Sequence, residues 1–310
     1  MFIIKNKKIF IAISLALVVL ALVSLVIFGL DVGIDFKGGA LSEVVYQGER
    51  PSQETLSEEV AKLDIGSVLI QPTGEKGYII KTRELNEAEH AELLEIFSQN
   101  GEALLEETSF SSIGPSVGRE LTRKAVIAIV LVSLAILCFI AFAFRKVSNP
   151  SALGHQGVAS WRYGFIAIIT LIHDIIIPLG VLAILSHYLG VELDALFVVA
   201  VLTILGLSIS DTIVIFDRIR ENLKKQAIAT LEAKAPFSEV VGHSLEQTFV
   251  RSALTSLSTI LVLVSLFFFG PISTKYFALI LAVGMFVGTY SSIFLASSLL
   301  VWVKEWQDKK

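Results

Sequence analysis

Apolar and polar positions alternate on two different scales along this chain. Six long runs carry almost no charge: residues 9–30, 125–144, 163–191, 195–216, 252–274 and 276–303. Only Asp174 interrupts the third run and only Asp211 the fourth. A helix rises about 1.5 Å per residue, so roughly 20 such residues cross a hydrocarbon layer of about 30 Å. The pattern therefore predicts six membrane-spanning helices. The first run exceeds the apolar core of a cleaved leader and lacks a small-residue cleavage site, which predicts a retained anchor.

Between the first two runs the period shortens. Residues 40–47 alternate as a strand does, and 52–63 suit a helix with Ser52 as its cap. Residues 68–71 and 78–82 are β-rich and flank the turn residues Pro72, Thr73 and Gly74. Residues 86–99 predict a helix capped by Asn86, with Glu87 and Glu89 in its first turn, and 103–110 a last strand. The order β-α-β-β-α-β is that of a ferredoxin-like domain. The fold class expected is thus an α-helical membrane protein of six spans with one external α+β ferredoxin-like domain.

Composition agrees. Of the 310 residues 54% are hydrophobic and 17% charged, against about 25% charged in soluble domains. The stretch 31–124 holds 9 of the 25 Lys and Arg and 18 of the 29 Asp and Glu. The net charge of -4 averages a water-facing acidic block with nearly uncharged material. Of the 25 basic residues, 15 fall on one side if the N-terminus is cytoplasmic: Lys5, Lys7, Lys8, Arg145, Lys146, Arg162, Arg218, Arg220, Lys224, Lys225, Lys234, Arg251, Lys304, Lys309 and Lys310. The positive-inside rule then places both termini in the cytoplasm. The expected organisation is 1–30, cytoplasmic N-terminus and first span; 31–122, external domain; 123–303, spans two to six; and 304–310, cytoplasmic tail.

The single cysteine, Cys138, sits in an apolar run, and no nucleotide-binding, dinucleotide-binding or zinc-protease motif is present. No basic tract suggests nucleic acid. No enzymatic activity, metal or organic cofactor is expected, which leaves an ion gradient as the energy source. Asp211 is the sharpest candidate, because an acid inside a span is costly unless paired or hydrated. Gly206, Ser208, Ser210 and Thr212 around it are small or hydroxylic; the competing reading is a structural hydrogen bond between helices. Asp174 follows His173, a pair suited to a proton relay or to a polar clamp. Adjacent helical residues point about 100° apart, which argues against one shared partner. Arg251, opening the fifth run, either pairs with Asp211 or snorkels to lipid headgroups. Gly284, Gly288, Ser292 and Ala296 form a small-residue packing stripe on the sixth.

Several segments resemble the SecF family. Residues 33–39, with Asp35, Gly38 and Gly39, are similar to its G-x-D-F-x-G-G signature, and residues 114–121, with Gly114, Pro115 and Gly118, to its G-P-x-V-G-x-E-L. Trp161 and Arg162 followed by His173 and Asp174 resemble its third span. Residues 208–212 and 216–222, with Asp217 and Arg218, are similar to S-I-N-D-T and F-D-R-I-R-E-N. Arg251 with Thr255 and Ser256 resembles the start of its fifth span. Ser210 stands where that family usually has Asn and Leu207 where it has Tyr; the link 145–162, with Gly154, His155, Gln156 and Gly157, is longer than usual. The resemblance implies half of an RND-type pseudo-symmetric bundle in the bacterial inner membrane, promoting preprotein movement at the expense of a proton or sodium gradient. It implies a heterodimer with SecD, the SecYEG translocon, accessory proteins such as YajC and YidC, the translocating preprotein and membrane lipid as partners. By the same resemblance Asp211 and Arg251 handle the coupling ion, with His173 and Asp174 in support. An RND-type small-molecule exporter subunit and a non-energised translocon scaffold are the competing functions.

Overall fold

The fold follows from where each stretch can satisfy its backbone. The structure, a computed structural model, describes residues 2–63, 65–143, 160–228 and 235–308. The basic residues Arg145, Lys146, Lys234, Lys309 and Lys310 and the 154–157 segment lie outside the described residues. Two helices open the chain, α1 (Phe2–Lys5) and α2 (Lys7–Phe28). A short helix α3 (Ile34–Lys37) leads into β1 (Gly39–Tyr46), α4 (Gln53–Val60), β2 (Leu69–Thr73), β3 (Gly77–Thr82), α5 (Glu87–Phe97) and β4 (Leu105–Ile113). Helices α6 (Pro115–Ala143), α7 (Ser160–Leu189), α8 (Ala195–Ile228), α9 (Phe237–Phe269) and α10 (Ile272–Tyr290) follow. A π-helical turn (Ser291–Ala296) then joins α10 to α11 (Ser297–Asp308). The chain divides into two compact units, Val32–Ile127 and the remainder, Met1–Asp31 with Ala128–Lys310.

In the first unit the strands pair antiparallel in the order β2-β3-β1-β4, the ferredoxin-like arrangement that the element order predicts. Alternation along β1 turns Ala40, Val44 and Tyr46 inward. There they meet Leu56 and Val60 of α4 and Leu93 and Phe97 of α5, all buried. The phenols inside keep partners, as buried phenols do: Tyr46 Oη donates to Phe97 O at 2.8 Å and Tyr78 Oη to Pro51 O at 2.7 Å. Both expected caps are present. Thr55 N donates to Ser52 Oγ at 3.2 Å. Asn86 forms a capping box with Glu89, in which Ala88 N and Glu89 N each donate to Asn86 Oδ1 at 3.0 Å.

The two glycine motifs meet although they are far apart in sequence. Gly38 has a φ of 83°, and a Cβ there would lie 2.8 Å from Pro115 Cα. A Cβ on Gly118 would lie 2.8 Å from Phe36 O and 3.0 Å from Gly38 N. Only bare backbone fits at both positions, so α3 and the first turn of α6 lie backbone to backbone.

Helices of the expected six spans are long and apolar enough to cross a membrane. Burial within the protein divides them. In an apolar 18-residue stretch of each, half is covered in Trp161–Leu189, 44% in Ala195–Gln226 and 61% in Thr274–Asp308, against 11% in Lys7–Phe28, 6% in Pro115–Ala143 and 17% in Phe237–Phe269. Helices α7, α8 and α10 thus form the centre. The others turn side chains such as Val26, Phe268 and Phe269 outward, an apolar surface that suits hydrocarbon. Close backbone approach fixes α2 on α7: a Cβ on Gly180 would meet Ala21 Cα at 2.5 Å. The chain is a multi-pass membrane protein.

Candidate functional site

Asp174, on α7, is fully buried and takes hydrogen bonds from three directions. His173 Nδ1 lies 2.9 Å from Asp174 Oδ1. Ser208 Oγ of α8 donates to Oδ2 at 2.5 Å, and Ser291 Oγ, at the start of the π-helical turn, donates to the same oxygen at 2.7 Å. A buried carboxylate needs this many donors to offset its lost hydration. The adjacent His173 and Asp174 therefore share a bond with each other, where the 100° spacing argued only that they would diverge. Both are buried, and the His173 ring stacks on Tyr290 with centroids 6.4 Å apart. Tyr290 Oη in turn donates to Phe10 O at 3.0 Å. His173 Nε2 is buried with no hydrogen-bond partner among the described residues.

Asp211 lies one turn further along α8 and is only partly buried. From α9, Ser252, Ser256 and the Arg251 guanidinium lie close enough to act on its charge. No salt bridge joins Asp211 to Arg251 among the described residues, and Arg251 is exposed. Arg251 does not open its helix, because α9 begins at Phe237 and places it well inside. Ser256 ties back to α10 through Thr289, whose Oγ1 donates to Ser256 Oγ at 2.5 Å. Thr212 and Ser292 hydroxyls pair at 2.8 Å, and Ser292 Oγ donates to Ser208 O at 3.1 Å. The seam of α8 with α10 and the π-helical turn is therefore hydroxyl-lined. Its packing glycines are Gly284, where a Cβ would meet Ile204 Cδ1 at 2.1 Å, and Gly288, where it would meet Ser208 Cβ at 3.0 Å.

Asp217 and Arg218 do a different job. Arg218 Nε donates to Gln247 Oε1 at 2.6 Å and Asn222 Nδ2 to Ser244 Oγ at 2.9 Å, fastening α8 to α9. Arg218 also pairs with Glu221 and Arg220 with Asp217. Asp35, Gly38, Gly39, Gly114, Pro115 and Gly118 all lie where α3 meets β1 and α6 starts, apart from the two acids in the sequence and in role. Sequence reasoning placed Ser292 only in a packing stripe and passed over Ser291 and Thr289. Their signal was a Thr-Tyr-Ser-Ser run, 289–292, inside an otherwise apolar span.

Comparison with known proteins gives a consistent result. Residues 94–155 and 158–306 match the family described as protein export membrane protein SecD/SecF, C-terminal. Protein translocase subunit SecF of Thermobaculum terrenum is 40% identical over 99% of this chain and 94% of that protein. The SecF subunit of Anaerolinea thermophila is 34% identical over 98% and 94%. The crystal structure of SecDF from Thermus thermophilus, a translocon-associated membrane protein, superimposes with a TM-score of 0.79 at 30% identity. A SecDF structure in a super-membrane-facing form gives 0.66 at 32%. These superpositions cover 97% and 99% of this chain but only 38% and 39% of the SecDF chains. On its sequence, its six spans and its ferredoxin-like unit, the chain belongs to the SecD/SecF family of protein export membrane proteins, among the SecF subunits.

Proposed function

We propose that this chain is an accessory subunit of Sec-dependent protein export, not an enzyme, and that it works beside SecD to draw on a transmembrane ion gradient. The observation that carries this reading is Asp211. It is a carboxylate within a span, covered on one side by the hydroxyl face of α9 and left partly open on the other, where burial of an acid is expensive unless a partner or an ion completes it. A SecD helix is the partner we assign to that open side, and a proton or sodium ion the species that Asp211 and Arg251 exchange. The SecYEG translocon, YajC, YidC, the emerging preprotein and lipid complete the environment. In this reading the protein sits in the bacterial inner membrane with both termini cytoplasmic, and the Val32–Ile127 unit meets preprotein outside.

Asp211→Asn, reconstituted with SecD and the translocon, tests it. Ion-dependent stimulation of export should vanish while SecD still co-purifies. Asp174 favours a second, scaffold reading, because its hydrogen bonds fasten α7, α8 and the π-helical turn together. If the acids only fasten helices, Asp211→Asn is active and Asp211→Leu merely disassembles.

A further inference from the structure

We propose that Ser208 joins Asp211 and Asp174 in one proton path, with the His173–Asp174 pair as a second proton-holding station deeper in the bundle. The proposal rests on the reading that Asp211 handles the coupling ion. Ser208 is 4% exposed and touches both sides of the path. On one side its hydroxyl donates to Asp174 Oδ2 at 2.5 Å. On the other, Ser208, Asp211, Gly288 and Thr289 border a cavity of about 10 Å³. That is about the room of a single water, and Ser208, Asp211 and Thr289 are the polar side chains on its wall. Gly288 keeps the cavity this small, since a Cβ there would press on Ser208.

The step balances without another reactant. Protonated Asp211 gives its proton to the cavity water, which passes one to Ser208 Oγ as Ser208 releases its own to Asp174 Oδ2. Water and serine end unchanged, Asp211 becomes a carboxylate and Asp174 a carboxylic acid. The groups facing Asp174 are His173 on its own helix, Ser208 from α8 and Ser291 from the π-helical turn. Tyr290 stacks on His173. Those facing Asp211 from α9 are Arg251, Ser252 and Ser256. The unpartnered His173 Nε2, buried beside Asp174, is the exit or holding point that the path requires.

The complex with SecD in lipid vesicles tests this by infrared difference spectroscopy of the carboxylic acid carbonyl after a pH step, alongside gradient-driven export. Wild type should show two such bands, one lost in Asp211→Asn and the other in Asp174→Asn. Ser208→Ala should keep the Asp211 band, while the Asp174 band rises at least about tenfold more slowly and stimulation falls in proportion, as loss of a positioned proton carrier does. Asp174→Asn keeps hydrogen bonding but cannot take the proton, so it tests the same step with Ser208 in place. Wild-type stimulation in Asp174→Asn and Ser208→Ala, with Asp211→Asn inactive, overturns the path and leaves the coupling reading standing. Wild-type stimulation in Asp211→Asn overturns the coupling reading itself.

Discussion

Four glycines of the Val32–Ile127 unit separate the two reasons a glycine can be required. Gly48 has ordinary backbone angles and open space where a Cβ would go. Gly66 has a φ of 76° but open space, Gly118 has helical angles but a Cβ site 2.8 Å from Phe36 O, and Gly38 has both a φ of 83° and a Cβ site 2.8 Å from Pro115 Cα. Alanine at Gly48 should change stability by no more than about 0.5 kcal/mol. At Gly66 the left-handed backbone costs about 1–2 kcal/mol. At Gly118 the clash is with backbone, which cannot rotate away, and overpacking costs about 1–3 kcal/mol. At Gly38 the two effects act on one residue, for about 2–5 kcal/mol, a large share of the roughly 5–15 kcal/mol that holds a domain folded. Amide hydrogen exchange of β1 and β4, in the full chain in lipid nanodiscs, reads these differences as protection. Every 1.4 kcal/mol is about tenfold, so Gly38→Ala should lose between roughly thirty- and several-thousand-fold. The reasoning fails if Gly38→Ala loses no more protection than Gly66→Ala, or if Gly118→Ala behaves like Gly48→Ala.

Two further outcomes are expected in the same unit. Asn86→Ala removes the acceptor for Ala88 N and Glu89 N and should cost about 1 kcal/mol, seen as faster exchange confined to the first turn of α5. Burial holds the Glu43 carboxyl above its ordinary range, so the folded unit binds that proton more tightly than the unfolded chain. Its charge therefore costs stability at neutral pH, and the cost is relieved as pH falls through the raised value. Glu43→Gln should raise stability at pH 7 and flatten that part of the pH profile, measured by denaturant titration of the full chain.

The spans and the ferredoxin-like order were legible because both obey local rules. Hydrocarbon forces each crossing to satisfy its own backbone within about 20 consecutive apolar residues. Caps such as Ser52 and Asn86 act within three residues of themselves. The rest depends on distant neighbours. Arg251 marked the end of a charge-free run, but the polar segment before it is helical too, so the helix begins at Phe237. The meeting of Gly38 with Pro115 is a contact between backbones with no side chain to announce it. Asp174 and Asp211 stood out as charges in apolar text. Ser291 did not, since a serine in a span is unremarkable until the carboxylate it serves is found on another helix.

The same non-local pairing bears on whether Asp174 is a fastener or a proton carrier. A fastener needs one arrangement of donors; a carrier needs two of similar energy. Ser291 Oγ lies 2.7 Å from Asp174 Oδ2 and 3.0 Å from Gly288 O, and it has a single proton to give. With Asp174 ionised, that proton belongs on the carboxylate. With Asp174 protonated, the hydroxyl can turn to Gly288 O and accept from the new carboxylic acid, so neither state leaves the carboxyl or the Ser291 hydroxyl unsatisfied. A buried polar group left without a partner costs about 1–3 kcal/mol, and Ser291 avoids that cost in both protonation states. Its place at the start of a π-helical turn, a feature frequent at functional sites, puts it within reach of both acceptors. Asp211 differs: it is only partly buried and is faced from α9 by Ser252, Ser256 and Arg251.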